Sequence, residues 1–268
     1  PLWPERWDLE ALDQRRMSMP AMQFTREYLC EPIHDVASMF PMTLLETARD
    51  TELVLLDKAE SEFDEEGERI GVFGQHFIGW DPAIASDKNA DYTAMMTMRL
   101  PPGEANIKQI VNVVHEKGMG SLLNSRFQPD LIELEGNNFQ RMFEAELKEL
   151  RQDIPIRTFM TTRTKKESLF MSLLLAFEQG QIKTPYGDER SKKFTHKLEE
   201  ELTRFGMQKS GRLESVGVHD DLAMALALSN WATKEFKGSV MLLDDYLPGF
   251  DDWFAGGKKP NDNGWMIP

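Results

Sequence analysis

The sequence predicts an α/β fold: a mixed sheet with a three-strand antiparallel meander first and parallel strands after it, flanked by helices. Three observations predict it. Strand-like apolar runs follow one another closely between residues 75 and 115, with only turn residues between them. Strand and helix periods then alternate from residue 131 to 179. Acidic residues stand at the ends of three well-separated apolar segments: Asp81, Glu135 and the pair Asp220-Asp221.

Residues 1–68 read as an extension ahead of the domain. Pro1-Leu2-Trp3-Pro4 is a proline-fixed aromatic entry, and Pro1 in place of methionine leads us to expect a fragment of a longer protein. Asp8 is placed to cap a first helix, and Ser38-Met39-Phe40-Pro41 marks a break before a second helix over 42–49. The acidic run from Glu60 to Glu68 reads as a solvated loop.

The domain is expected over 69–240. Its first strand is Gln75 to Trp80, stopped by Pro82. The second is Tyr92 to Leu100, ended by Pro101-Pro102-Gly103, and the third is Ile107 to His115. Helices are expected over 119–127, 139–150, 165–179, 192–205 and 220–231, with strands at 131–134 and 156–160. Parallel strands joined through helices take right-handed crossovers. A meander followed by such units is the order of a ribonuclease-H-like fold, in which the first and fourth strands are neighbours. Residues 241–268, with Pro248-Gly249 and Gly256-Gly257, read as a flexible acidic tail.

Composition narrows the function. One cysteine, Cys30, excludes an internal disulfide framework and a cysteine-based zinc site. No apolar run reaches the roughly 20 residues of a membrane span, so no membrane partner is expected. No G-x-x-x-x-G-K-[ST] loop is present, which argues against ATPase activity. The net charge of −14 is unusual for a nucleic-acid binder. The charge is uneven, however: residues 151–212 hold 13 Lys and Arg against 8 Asp and Glu. An acidic whole with a basic stretch predicts weak, salt-sensitive DNA contact.

Carboxylates at strand ends sit at low-dielectric edges and suit hard cations such as Mg²⁺ or Mn²⁺. Asp81 is the candidate central ligand; its bland alternative is a loop cap. Glu133 and Glu135 share a strand face, and Glu135 is preferred because it lies closer to the carboxyl end. Asp220 and Asp221 open the last helix, where capping competes with metal binding as a role. His219 reads either as an aid to proton transfer or as a satisfied loop histidine. Asp87 and Asp91 read as turn residues. Arg163, Lys165 and Lys166 follow the fifth strand and read either as holders of a phosphate near the metals, since cations there oppose the helix dipole, or as solvated residues of a first helix turn. Lys183, Arg190, Lys192, Lys193 and Lys197 read equally as a DNA-backbone track and as a solvated charge cluster.

Together these segments resemble the C-terminal nuclease domain of the large terminase subunit of tailed bacteriophages. The resemblance rests on Gly79-Trp80-Asp81-Pro82-Ala83 with Asp91-Tyr92, on Glu135-Gly136-Asn137-Asn138-Phe139-Gln140, on Lys165-Lys166-Glu167, and on His219-Asp220-Asp221-Leu222-Ala223. Pro4-Glu5-Arg6-Trp7 and Phe24-Thr25-Arg26-Glu27-Tyr28-Leu29 resemble the segment that follows the packaging ATPase. The resemblance implies a ribonuclease-H-like, metal-dependent endonuclease that cuts concatemeric viral double-stranded DNA in the host cytoplasm. It implies two Mg²⁺ or Mn²⁺ ions held by Asp81, Glu135, Asp220 and Asp221. The partners implied are the ATPase half, the portal and the small terminase subunit. Two other readings stand beside it: a resolvase-like nuclease for branched DNA, and a non-catalytic docking module.

Overall fold

A computed structural model describes residues 7–29, 38–63, 69–72, 74–82, 92–104, 106–116, 127, 129–136, 156–207, 213–215 and 220–235. Its frame is a seven-stranded sheet in the order β1-β9-β6-β5-β4-β7-β8. The strands are β1 (Arg49–Asp50), β4 (Gln75–Asp81), β5 (Thr93–Leu100), β6 (Lys108–Glu116), β7 (Leu131–Gly136), β8 (Ile156–Met160) and β9 (Ile182–Pro185). β4, β5 and β6 pair antiparallel. β7 runs parallel to β4, and β8 parallel to β7. The expected mixed sheet is therefore present, with the first and fourth expected strands side by side.

β5 lies near the middle of the sheet, and its residues from Thr93 to Met98 are all buried. A strand covered on both faces needs no polar alternation, which explains the near-continuous Met and Thr run. One face carries Ile78, Trp80, Met95, Ile132, Leu134 and Ile156. The other carries Ala94, Met96 and Met98 against three helices: α4 (Arg163–Glu178), α5 (Glu189–Thr203) and α6 (Asp221–Ala232). The small helices α1 (Leu9–Ser18), α2 (Ala21–Tyr28) and α3 (Met42–Thr47) precede the sheet. Asp8 caps α1 as expected, accepting from the Ala11 N–H at 2.8 Å.

α6 is the central helix. Its sequence is apolar or small on every side, and among its residues only Trp231 is not buried. A helix apolar all round belongs inside a fold. It lies on β4 at Gly79, where an added Cβ would overlap the Ala225 carbonyl and the Ser229 N–H. Its polar end is satisfied internally: the buried Asn230 accepts from Lys108 Nζ at 2.7 Å and donates to Ser172 Oγ at 3.3 Å.

The structure adds elements beyond those expected. The acidic run read as a solvated loop contains β2 (Ser61–Phe63), paired antiparallel with β3 (Arg69–Val72). β10 (Phe205–Met207) pairs with β11 (Leu213–Ser215), so Phe205 is in a strand, not a helix end. There its ring stacks on Phe170 at 4.2 Å between centroids. Strands of two to four residues hold too few positions for a period to show. Met39, Phe40, Leu45, Ala48 and Leu55 join the same core as α4 and α6, and β1 is the sheet's edge strand. The helices expected over 119–127 and 139–150, and the tail from 241, lie outside the described residues, apart from Phe127.

Candidate active site

The strand register assembles the site. Asp81 closes β4 opposite Ala94 of β5, and Ala94 lies opposite His115 of β6. On the other flank Trp80 pairs with Leu134, so Asp81 and Glu135 follow as neighbours one residue on. Glu135, Asp81, Ala94 and His115 thus form one row across four strands. They share the face on which Gly79 receives α6. The first turn of that helix brings Asp220 and Asp221 over the same edge.

The electrostatics report how close the acids are. Burial pushes the Asp81 carboxyl well above the usual carboxylate range, and Glu135, Asp221 and Asp220 push it further. A side-chain hydrogen bond between Asp81 and Glu135 adds to the shift. Four carboxylates from three distant segments therefore share one field.

Asp220 is the N-cap residue of α6, yet its side chain makes no capping hydrogen bond. Its Oδ2 accepts from Lys166 Nζ at 3.0 Å. Asp221 is buried, with its Oδ2 3.8 Å from His115 Nε2. Lys197 Nζ lies 2.9 Å from His115 Nδ1. An ammonium can only donate, so Nδ1 is the acceptor and the ring proton sits on Nε2, toward Asp221. Tyr92 stacks on the other side of this imidazole at 4.5 Å. The helix cap comes instead from Glu201 of α5, whose Oε2 accepts from the Leu222 and Ala223 N–H groups at 2.9 and 3.2 Å. Burial raises the Glu201 carboxyl to about 7.

Glu133 resolves differently from Glu135. It is almost wholly buried on the same face, but Arg157 stands directly across from it on β8. The Arg157 Nε donates to Glu133 at 2.7 Å, and the Nη2 donates to the same oxygen. Glu133 is committed to an ion pair, whereas Glu135 bonds to Asp81.

The basic residues scatter more widely. Lys166 is in the site. Arg163 pairs with Glu167 at 3.5 Å, and Lys165 is exposed beside it. Thr162 caps this helix by accepting from the Lys165 N–H. Lys192 is held by Glu189 at 2.9 Å, and Lys193 is exposed on α5. Lys183 pairs with Gln109 near the start of β6, six residues from His115, or about 20 Å along the strand. It lines a 320 Å³ depression with Arg99, Asp50 and Glu104 at the far end of the sheet. His219, Asp87 and Asp91 lie outside the described residues.

His115 and Glu201 carry no motif in the sequence. Alternation along Val111-Asn112-Val113-Val114-His115 gives only a strand position. Glu201 ends the run Glu199-Glu200-Glu201, which reads as a solvated helix face.

A family model described as the terminase RNaseH-like domain matches residues 78–230, more than half of the 268. The chain belongs to this family. Among solved structures, the terminase domain is similar to a lysine-to-alanine mutant nuclease domain of the large terminase subunit gp2 of bacterial virus Sf6, solved with manganese and beta-thujaplicinol. The identity there is 14%, over 72% of this chain and 98% of that one, with a TM-score of 0.50. It is also similar to the ADP complex of the large terminase of a thermophilic bacteriophage, at 9% identity and a TM-score of 0.53. That match covers 87% of this chain but 54% of the larger one. The magnesium-bound large terminase nuclease of thermophilic phage G20c matches at 18% identity over 75% of this chain and 98% of that one, with a TM-score of 0.49. No curated protein matches the sequence. The terminase domain therefore has the ribonuclease-H-like fold.

Among the described residues, no three acidic, histidine or cysteine side chains are already gathered as a closed metal cage. The donor set nevertheless fits a hard divalent cation: all of its acidic donors are carboxylate oxygens, and burial together with their mutual repulsion raises the Asp81 pKa, a penalty that a cation would relieve. Two of the donors already face cationic or N–H groups, Lys166 and His115.

Proposed function

We propose that this terminase domain is a metal-dependent endonuclease that cuts concatemeric viral double-stranded DNA during genome packaging. The observation that carries the reading is the convergence of Asp81 and Glu135 with Asp220 and Asp221 on one sheet edge. Asp81, Glu135, Asp220 and Asp221 would hold Mg²⁺ or Mn²⁺, two ions in our reading. A bound divalent ion supplies Lewis-acid activation of water and neutralises charge on the phosphodiester.

The chain's own groups do the rest. The ionised form of Asp81, whose pKa is raised by burial and by its acidic neighbours, would be favoured by a cation held there. Lys166, released from Asp220, is free to hold a phosphate oxygen beside the attacked bond. Exposed Lys165 lies on the same rim. Lys192 and Lys193 are assigned to the DNA backbone farther out. Lys183, at the opposite end of the sheet, fits that track poorly. The longer relative solved with ADP, of which this chain covers 54%, suggests that an ATPase half works with this domain, and the portal and small subunit would complete the assembly in the host cytoplasm.

The test is cleavage of supercoiled plasmid at low salt with Mg²⁺, Mn²⁺, Ca²⁺ or EDTA. We expect nicking and linearisation with Mg²⁺ or Mn²⁺ only. Asp81→Asn and Glu135→Gln should each lower the rate by at least about 100-fold while the fold is kept, in line with loss of charge stabilisation at a reacting centre. Full cleavage by Asp81→Asn would sink the assignment.

A further inference from the structure

We propose that Glu201 is a positioning residue for the cation site: by capping α6 from a neighbouring helix, it keeps the carboxylates of Asp220 and Asp221 available to a divalent ion. This rests on the nuclease reading above.

An aspartate at the start of a helix ordinarily turns its side chain onto the N–H groups of the second and third helical residues. In α6 those residues are Leu222 and Ala223. Both N–H groups donate to one oxygen of Glu201, which is 4% exposed and 20 residues earlier in the chain than Asp221. The bonds that would draw Asp220 back onto its own helix are therefore already made. Asp220 instead points to Lys166, 3.0 Å away. A cation at that place shows the carboxylate aimed outward.

The same helix face does a second job. Lys197, one turn before Glu201, reaches the His115 Nδ1. α5 thus holds the first turn of α6 with one side chain. With another it holds the imidazole that faces Asp221. Residues four apart lie one above the other on a helix, so a single rigid element sets both contacts. Glu201 touches no reacting atom in this arrangement. It acts through the orientation of α6.

The experiment compares wild type with Glu201→Gln, Glu201→Asp and Glu201→Met. Mn²⁺ affinity without DNA is read from the free-ion electron paramagnetic resonance signal. Thermal unfolding in EDTA reports the fold, and plasmid cleavage against Mg²⁺ reports the half-saturating concentration. Glu201→Gln keeps an oxygen that can accept both N–H groups, so its Mn²⁺ dissociation constant should stay within about threefold of wild type. Glu201→Asp keeps the charge but falls short by one carbon. It should weaken Mn²⁺ binding about tenfold or more and raise the half-saturating Mg²⁺ in parallel, with kcat at saturating Mg²⁺ changed little. Glu201→Met should behave like Asp, and if it does not fold, Asp carries the test. Wild-type Mn²⁺ affinity in a folded Glu201→Asp protein overturns the role of Glu201. Failure of wild type itself to bind Mn²⁺ overturns the nuclease reading and this inference together.

Discussion

His76, the second residue of β4, is fully buried beside the Phe127 ring. Burial, with Arg99 nearby, lowers its pKa from 6.5 to about 4. Between those values the unfolded chain binds a proton that the folded chain refuses. The stability this neutral ring contributes is full above pH 6.5 and lost as the pH falls through 4, a change of about 3 kcal/mol. His76→Leu should therefore flatten the fall in urea midpoint between pH 6.5 and 4; an unchanged acid profile would refute the assignment. The two glutamates of β7 separate in a similar way. Glu133→Ala should cost about 2 kcal/mol, less than a fully buried pair because Arg157 keeps some water contact, and should leave Mn²⁺ binding intact. Glu135→Ala should do the reverse, as parallel urea and Mn²⁺ titrations would show. The sequence marked the acids because they end apolar runs. It could not separate Glu133 from Glu135 by face, since alternation gives both the same one. The partner that decides, Arg157, arrives only through strand pairing. His115 was illegible for the same reason: its meaning comes from Ala94 and Asp81, aligned with it by the sheet.

Among the elements, length governed what could be read in advance. Strands β4, β5, β6, β7 and β8 each hold five or more residues and were recognisable from pattern, although β7 extends to Gly136 and so carries Glu135 within the strand. β1, β9 and the two hairpins escaped, and with them the side of the sheet beyond β6. The contact between α6 and β4 is close because Gly79 lets two backbones meet. Gly79→Ala should cost about 3 kcal/mol, at the upper end for overpacking, and lower the thermal midpoint. It should also weaken Mn²⁺ binding, because the helix pushed away carries Asp220 and Asp221. A variant of unchanged stability would show that α6 has room to shift.

At the scale of the whole molecule, charge is the governing property. A net −14 opposes DNA, and among the described residues the basic side chains toward the site are few: Lys165 and Lys166 on α4, with Lys192, Lys193 and Lys197 on α5. Binding driven by a handful of phosphate contacts falls steeply with salt. Cleavage by the isolated domain should drop at least about tenfold between 50 and 200 mM KCl, and Lys165→Ala should lower it further without changing Mn²⁺ affinity. Rates indifferent to salt would contradict this distribution of charge. The alternation of strands and helices made the sheet legible from sequence, but not how the acids of three segments divide their partners among Lys166, His115 and Arg157. The spread of those acids also sets an order in time. The first two are laid down on neighbouring strands, and the last pair belongs to a helix more than 80 residues farther along. A ribosome-bound chain that has not yet released α6 lacks Asp220, Asp221 and the helix that packs on Gly79, so the proposed cation site is completed only when that helix docks.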